Sequence, residues 1–285
     1  MLSLALHVVF GSGFGLGVKV ASMRRHDMLT VGALNYICAA VLASVWVLAR
    51  GALDAGWSGG VWGALNGVGY FVTYFFLLFA IRHQGIAATR AIGQLAILIP
   101  ILASILLWGE YPTYVQLIGL VVAGASMLLL IDARKNLLGE IVHGARWRLL
   151  AFLLLSGSFR VFAKAFSVSA QPQEKAFYVW MVFVSSGAIS LVMLLSRRRL
   201  PSIGELLCGA QIGACNCIQV WFLLRALEEL PGVVVFPVAA CGALVMTAGI
   251  AIVLLGERPT LRMYAGIAAS AVAVVLLHAK AAPPS

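Results

Sequence analysis

Charged residues are scarce in this sequence, and acidic residues are the scarcest. Only 11% of the 285 residues are charged and 10 are Asp or Glu, whereas soluble domains contain about 25% charged residues. Every acid falls in an expected loop or near the end of an expected span: Asp27, Asp54, Glu110, Asp132, Glu140, Glu174, Glu205, Glu228, Glu229 and Glu257. Hydrolysis or group transfer inside a membrane usually needs paired acids in its apolar part. The lack of such a pair counts against a membrane-embedded enzyme.

Patterns that bind metals or form disulfides are also missing. The 5 histidines are widely separated and show no HExxH spacing, so the sequence predicts no metal site and no cofactor. The 5 cysteines fall mostly inside apolar runs, and Cys215 and Cys217 would point to different faces of one helix. We interpret all of them as small buried apolar residues.

Apolar residues make up most of the chain. The hydrophobic share is 62%, more than a water-soluble core can bury, so the sequence predicts an integral membrane protein in a lipid bilayer, that of the cell (inner) membrane. The net charge of +10 could suggest nucleic acid as a partner. However, the basic residues are scattered through short loops, as in the loops that orient a membrane protein. We therefore expect no nucleic-acid partner.

Apolar runs of about 20 residues, the length that crosses a bilayer as a helix, recur along the whole chain. The expected spans are 2–22, 29–49, 59–81, 85–108, 112–131, 147–168, 176–195, 203–227, 231–255 and 259–279. A polar linker at 132–146 separates five spans from five. An even number of spans places both termini on the same side of the membrane.

The two halves of the sequence repeat one another. GEYPT at 109–113 recurs as GERPT at 256–260, and GALNG at 63–67 recurs as GAQIG at 209–213. We therefore predict one five-helix repeat over 1–131 and a second over 147–285. Because five is odd, the two copies have opposite orientation, as in the inverted repeats of secondary carriers.

A glutamate and a proline occur together at the last turn between spans in each copy. We expect Glu110 and Glu257 to act as structural caps, since an acid suits the positive end of a helix dipole. We expect Pro112 and Pro259 to lie in the first turn of the next helix, where the missing N–H has no partner in any case. Gly63 with Gly67 and Gly209 with Gly213 form GxxxG pairs that let helices approach closely.

These motifs resemble the EamA-type transporters of the drug/metabolite transporter superfamily. The residues that carry the resemblance are Gly109, Glu110, Pro112, Thr113 and Gly119, with Gly256, Glu257, Pro259, Thr260 and Gly266 in the second half. Pro237 fits the proline that members often carry before the GE turn, whereas the first half has Arg90 there and Pro100 further along. The resemblance implies a ten-helix carrier of small metabolites with a central cavity. It also implies cytoplasmic termini, while the basic loops after odd-numbered spans favour the opposite side.

Polar side chains inside the expected spans are the candidates for a substrate pathway, because charge within a bilayer is costly. The candidates are Arg160, Lys164, Lys19, Asn66, Tyr70, Arg90, Gln94, Asn216 and Gln219. Arg160 and Lys164 share one face of the sixth span. Lys19 and Lys164 lie near helix ends and could instead extend to the membrane surface, and the amides could form ordinary interhelical hydrogen bonds. We expect Tyr178 and Trp180 to be interfacial aromatic residues.

The sequence thus predicts a secondary transporter that moves a small polar metabolite by alternating access. A neutral or positive pathway favours a substrate with a carboxylate or phosphate, such as an amino acid or sugar derivative, and we expect Arg160 to hold that group. One chain suffices for such a pathway, and the oligomeric state stays open. Two alternatives are a membrane-embedded enzyme and a non-transporting membrane scaffold, which would not need the polar faces of the first and sixth spans.

Overall fold

A computed structural model describes residues 1–51, 57–130, 146–169, 174–197, 199–255 and 260–278, and all regular secondary structure in these residues is α-helical. The helices are α1 Leu2–Met23, α2 Met28–Arg50, α3 Trp57–Leu95, α4 Leu98–Trp108, α5 Tyr114–Leu130, α6 Arg146–Ser169, α7 Glu174–Ser196, α8 Ile203–Glu229, α9 Gly232–Leu255 and α10 Leu261–His278. The predicted all-α class is therefore confirmed.

Eight stretches of helix in the described residues are long and apolar enough to cross a bilayer. They are Leu2–Met23, Met28–Arg50, Gly59–Ala80, Leu150–Ser169, Glu174–Ser196, Ile203–Glu229, Gly232–Ile250 and Leu261–His278. The helices Leu98–Trp108 and Tyr114–Leu129 are apolar but shorter. Helices of this length and composition are those of a multi-pass membrane protein.

The expected break between the third and fourth spans, near Gly85, is wrong. Helix α3 continues for 39 residues to Leu95, and α4 begins only at Leu98. A single glycine costs a helix only about 1 kcal/mol. The chain breaks instead ahead of Pro100, whose ring would clash with the carbonyl of Ala96 in a continuous helix. The predicted span 85–108 is therefore divided between α3 and α4.

The turn between α4 and α5 also differs from the expectation in one respect. Gly109 ends α4 in a left-handed conformation (φ 64°), which glycine adopts without strain. Pro112 was expected in the first helical turn, but α5 begins at Tyr114. The reason is a capping box: the N–H of Gln116 donates to Thr113 Oγ1 (3.3 Å), and the N–H of Thr113 donates to Gln116 Oε1 (3.0 Å).

The second copy of this motif is only partly described. Thr260 precedes α10, and its Oγ1 accepts a hydrogen bond from the N–H of Met263 (3.3 Å), as an N-cap does. Gly256, Glu257 and Pro259 lie outside the described residues. Their predicted roles therefore stay predictions.

The chain forms two compact units, and neither is one of the predicted halves. Unit 1 comprises Met1–Phe79 and Phe162–Glu228, and unit 2 comprises Ala80–Val161 and Glu229–Ser285. Each unit thus takes segments from both predicted repeats. The repeat boundaries at 131 and 147 stay a prediction, since compactness and duplication are different properties.

In unit 1, the glycines of α3 allow close packing against α7. A Cβ on Gly63 would lie 2.7 Å from the carbonyl oxygen of Tyr178 and 2.8 Å from Met181 Cβ. A Cβ on Gly67 would meet the carbonyl of Val182 and the Ser185 hydroxyl. The two helices run in the same direction, because the residue numbers of the contacts rise together along α3 and along α7. Only glycine fits at these contacts.

A second glycine pair in unit 1 packs α8 against α2 in the same manner. A Cβ on Gly209 would meet Leu34 and the carbonyl of Val31. A Cβ on Gly213 would meet Cys38 Cβ at 3.0 Å and the carbonyl of Asn35. These helices also run in the same direction, so both GxxxG pairs serve as helix contacts.

Helices α2 and α7 of unit 1 pack antiparallel to each other. Gly187 of α7 lies against Tyr36 and Ala40 of α2, and a Cβ on Gly187 would be 3.0 Å from Ala40 Cβ. Further along, Trp180 Nε1 donates to Ser44 Oγ (2.8 Å). The residue numbers of the contacts rise along α2 while they fall along α7, so the two helices are antiparallel.

We expect Tyr178 to be an interfacial aromatic residue, but its side chain is buried inside the protein. Its side chain is 0% exposed and stacks on Phe166 with ring centroids 4.0 Å apart. The Tyr178 hydroxyl accepts a hydrogen bond from the Asn66 side chain, so the polar atom has a partner inside the protein. A buried tyrosine with such a partner needs no contact with the interface.

In unit 2, α5 packs antiparallel to α10. A Cβ on Gly119 would lie 3.0 Å from the Leu277 side chain. At the other end of the pair, Arg262 Nη2 donates to the carbonyl of Leu128 (2.7 Å). Gln116 Nε2 also reaches the carbonyl of Leu277 (3.4 Å).

Candidate functional site

The basic candidates of α6 differ in their burial. Lys164 is 2% exposed, so its side chain does not extend to the protein surface in this structure. The carbonyl of Lys164 accepts a hydrogen bond from Ser167 Oγ (2.8 Å). Arg160 is half-buried and belongs to unit 2, whereas Lys164 belongs to unit 1. Lys19 of α1 is half-buried in unit 1.

A chain of amide hydrogen bonds joins three helices of unit 1. Asn216 Nδ2 of α8 donates to Asn35 Oδ1 of α2 (3.2 Å), and Gln219 Nε2 donates to Asn216 Oδ1 (3.0 Å). His7 Nδ1 of α1 lies 2.8 Å from the Gln219 carbonyl oxygen, which only an N–H at Nδ1 can bond. Interhelical bonds are thus present at Asn216 and Gln219, and this does not test a substrate role. Asn35 and His7 were missed in the sequence.

A second polar group of unit 1 lies on α3. Asn66 is buried and bonded to Tyr178, and the Tyr70 carbonyl accepts from the Tyr36 hydroxyl (3.0 Å). Asn66 Oδ1 and Thr73 Oγ1 are buried, and neither has a hydrogen-bond partner within the described part of the chain. Such atoms are unusual in native proteins and call for a water or a ligand as partner.

A row of polar residues on α8 faces the glycine-rich side of α1. Gln211 Nε2 donates to the carbonyl of Gly13 (3.0 Å). A Cβ on Gly13 would lie 2.9 Å from Cys215 Sγ, and one on Gly11 would lie 2.8 Å from Gln219 Oε1. The glycines therefore let the α1 backbone approach polar side chains. The spacing of Gln211, Cys215 and Gln219, four residues apart, is the sequence signal that could have identified this row.

Two candidates come from the fourth expected span. Arg90 and Gln94 lie in the helical backbone of α3, in the part that belongs to unit 2. Their side chains lie outside the described part of the structure. A pathway role for them stays a prediction.

One end of unit 1 carries an ionic cluster that sequence reasoning missed. Glu205 of α8 is 1% exposed, and both of its carboxylate oxygens accept from Arg199 Nη2 (2.9 and 3.1 Å). It also accepts from the backbone N–H of Asp27 (3.1 Å) and of Ser202 (2.8 Å). Arg197 forms an ion pair with Asp27. The cluster ties the α1–α2 turn to the α7–α8 turn.

Local sequence explains part of this cluster. Ser202 and Glu205 form a capping box at the start of α8, since the N–H of Glu205 also donates to Ser202 Oγ (3.2 Å). Asp27 is the N-cap of α2 and accepts from the N–H of Leu29 (3.3 Å) and from Thr30 Oγ1 (2.7 Å). The S-x-x-E spacing could have identified the cap, but not its arginine partners.

The charge of Asp27 is favoured in the folded protein. Partial burial alone would raise the pKa of Asp27. The hydrogen bond from Thr30 and the hydrogen bond and positive charge of Arg197 lower it by more than burial raises it, so the pKa lies below its ordinary value of 3.8. A carboxylate with a lowered folded-state pKa contributes stability above the unfolded pKa. This contribution is lost as the pH falls from 3.8 through the folded-state pKa.

Glu110 contacts the beginning of a distant helix. Its Oε2 accepts a hydrogen bond from the backbone N–H of Gly232 (2.6 Å), the first residue of α9. A carboxylate at this position satisfies an N–H that has no partner inside the helix and complements the helix dipole. Glu110 therefore lies at the N-terminus of α9 and not at that of the helix that follows it.

We expect Glu110→Ala to lower the free energy of unfolding by about 1–2 kcal/mol, because the Gly232 N–H loses its acceptor. Glu110→Gln keeps an oxygen acceptor and loses only the charge, so its effect should be smaller. Thermal unfolding in detergent, followed by circular dichroism, measures both. Equal stability of Glu110→Ala and the parent would contradict the capping role.

No three His, Cys, Asp or Glu residues of the described chain form a group that could hold a metal ion.

Comparisons with known proteins show a shared fold. No family model matches the sequence, and no curated protein matches it. Solved structures of 27 chains match. One, described only as the crystal structure of a protein, superposes with a TM-score of 0.75 over 97% of this chain and 95% of its own at 17% identity. This likeness shows a shared fold.

Proposed function

We propose that the protein is a secondary transporter of the EamA type that moves a small polar metabolite by alternating access. In this proposal the ten helices form two inverted five-helix repeats. The eight longer stretches supply eight of the ten spans, and the shorter helices α4 and α5 belong to the other two. The substrate is a carboxylate- or phosphate-bearing molecule such as an amino acid or a sugar derivative. The GE-x-PT motifs and the apolar spans support this proposal.

The observation that carries the proposal is the repeated glycine packing in unit 1. Gly63 and Gly209 lie 146 positions apart, as do Gly67 and Gly213. Their contacts on α7 and α2 correspond one by one at an offset of 147: Tyr178 with Val31, Met181 with Leu34, Val182 with Asn35, and Ser185 with Cys38. A chance GxxxG pair would not repeat its neighbours. A duplicated unit with this internal symmetry supports the carrier architecture.

The relative direction of equivalent helices supports inversion of the two copies. Helices α2 and α7 occupy corresponding places in the two halves, and they pack antiparallel. Helices α5 and α10 also correspond, and they too pack antiparallel. Two copies related by a two-fold axis in the membrane plane would pack in this way.

The buried Lys164 supports an anionic or strongly polar substrate group. A lysine removed from water in a membrane-spanning helix needs a counter-charge, polar groups or water. Its amine places positive charge inside a span, which suits a substrate carboxylate or phosphate. Arg160, which belongs to unit 2, keeps its own proposed role in holding an anionic group, because arginine keeps its charge at any physiological pH.

The two alternatives receive less support. An enzyme needs a convergent set of acid, base or nucleophile, and the polar groups of unit 1 are mostly amides and hydroxyls engaged with one another. A scaffold has no need for a buried lysine or for buried polar atoms such as Thr73 Oγ1.

Transport in proteoliposomes tests the proposal directly. We expect the purified protein to move at least one member of a panel of radiolabelled amino acids, sugar phosphates and carboxylates into vesicles. Lys164→Gln should reduce the rate for that substrate by about tenfold or more, since a charged hydrogen bond contributes about 1.5–3 kcal/mol. Arg262→Gln, at an exposed arginine of α10, serves as the matched control with unchanged rate.

Three results would count against the proposal. Failure of every panel member to move would remove the carrier function, and turnover of a panel member would favour the enzyme. Normal transport by well-expressed Lys164→Gln would remove the assigned role of Lys164.

A further inference from the structure

The ionic cluster of unit 1 lies at one end of the antiparallel pair α2 and α7. Asp27 caps the start of α2, and Arg197 follows directly after the end of α7. The two side chains form an ion pair, and Arg199 reaches Asp27 Oδ2 at 3.5 Å while binding Glu205. Ion pairs therefore hold the start of α2 against the end of α7.

The internal repeat places the same two charges at the opposite end of the pair. At the offset of 147 that relates α2 to α7, Asp27 corresponds to Glu174 and Arg197 corresponds to Arg50. Glu174 is the first residue of α7, and Arg50 is the last residue of α2. Because the helices are antiparallel, Arg50 and Glu174 lie toward the same end, away from Asp27.

The two ends differ in this structure. At the Asp27 end, Arg197 binds the acid of α2, whereas at the other end the Arg50 guanidinium lies over the Trp46 ring, 5.5 Å from its centroid. The ion pair at that other end joins Lys175 of α7 to Glu228 of α8 and does not join α7 to α2. Between the ends, the close approach at Gly187 brings the helices together near their middle. The packing continues to Trp180 and Ser44, and a rotation of one helix on the other about Gly187 would close one end as the other opens.

We propose that Asp27–Arg197 and Glu174–Arg50 are alternative gates, which close opposite ends of the α2–α7 pair in the two states of the carrier. This inference rests on the proposed alternating access. In the state described, the Asp27 gate is closed and Arg50 rests on Trp46. In the other state, Arg197 leaves Asp27 and Arg50 pairs with Glu174. Ion pairs of partly exposed residues suit this exchange, because each contributes only about 0.2–1 kcal/mol and can break readily.

Cys208 provides a native reporter for the Asp27 end. It lies one turn beyond Glu205 on α8, is buried, and packs with Ala21, Val31 and Ile212 beneath the ionic cluster. Because Arg199 joins Asp27 to Glu205, release of Asp27 also loosens the start of α2 from α8, and movement of Val31 away from Cys208 would expose the thiol to water. Replacing Cys38, Cys215, Cys217 and Cys241 with Ala leaves Cys208 as the single target of a water-soluble maleimide.

Asp27→Asn tests the first gate. Asparagine caps helices as well as aspartate does, so this change removes the charge and keeps the cap. We expect the labelling rate of Cys208 to rise about two- to fivefold, the population shift that loss of up to about 1 kcal/mol produces. An unchanged rate would overturn the gate at this end.

Arg50→Glu, added to Asp27→Asn, tests the second gate from the far end of the same helices. The introduced carboxylate would repel Glu174, disfavour the state in which the Asp27 end is open, and lower the raised labelling rate toward the parent value. Adding Glu174→Arg should restore the high rate. A purely structural role for the Asp27 cluster would leave Cys208 labelling insensitive to charges at the far end, and that result would overturn the proposal.

Circular dichroism and elution as a single species in detergent establish that each variant is folded. These rates need no substrate, so the outcome is independent of the transport assay. Coupled labelling changes without transport of any panel member would remove the carrier function and keep the two-ended motion. Transport by a protein whose Cys208 labelling ignores Arg50 would keep the carrier and remove the gates.

Discussion

Gly67→Leu is expected to prevent stable packing of α3 against α7. Even a Cβ at this position meets the carbonyl of Val182 and the hydroxyl of Ser185, and the full leucine side chain would force the helices apart. Overpacking of this kind typically costs about 1–3 kcal/mol and more where backbone is the obstacle. We expect about 3 kcal/mol or more, which appears as loss of folded, monodisperse protein in detergent.

The matched control is Gly124→Leu on α5. A Cβ on Gly124 has no heavy atom of the described residues within 4 Å, so leucine fits there and also favours the helix. We expect its yield and melting temperature to equal or exceed those of the parent. Gly213→Leu should behave like Gly67→Leu, because it occupies the corresponding contact on α2. A well-folded Gly67→Leu variant would contradict the close contact between α3 and α7.

Glu205→Ala is expected to have the second-largest effect on stability. The substitution removes a buried acceptor from the N–H groups of Asp27 and Ser202 and from Arg199. Arg199 is about half exposed and can be hydrated instead, which limits its share. The two backbone N–H groups lose their partner, and we expect the free energy of unfolding to fall by about 2–4 kcal/mol.

Glu205→Gln separates the two contributions. Glutamine keeps an oxygen that can accept from a backbone N–H and loses the charge that binds Arg199, so we expect a smaller loss than for alanine. Thermal unfolding in the same detergent compares the three proteins. If both variants unfold at the parent temperature, the carboxylate does not stabilise the junction of α1, α2, α7 and α8.

The prediction of individual spans succeeded where the signal is local and failed where distant residues decide. The breaks around Asp27, Pro201 and Pro231 are where the sequence predicts them, because caps and prolines act within one turn. At Gly85 the prediction is wrong, since glycine alone does not stop a helix and Pro100 does. The predicted start of the fifth span, at Pro112, is two residues too early for a similar reason, because the Thr113 capping box determines where α5 begins.

The pathway role of the candidate residues stays a prediction, and the structure adds their surroundings. The sequence identified Lys164, Asn66, Asn216 and Gln219 as polar residues within spans, because charged and amide groups are conspicuous in apolar runs. The sequence does not indicate which residues these side chains bind. Asn66 bonds to Tyr178, which lies 112 positions away, and no local pattern indicates such a pair.

By itself, the sequence determined the membrane class, the helical content and most helix ends of this protein. These follow from local physics: in lipid, backbone N–H and C=O groups must bond within their own helix, so length and hydropathy suffice to find it. Only the tertiary structure decided the burial of Tyr178 and Lys164, the contact of Glu110 with Gly232, and the ionic cluster around Glu205. Each depends on how helices rotate and pack against segments far away in the chain, and apolar periodicity says little about rotation when lipid is as apolar as the protein interior.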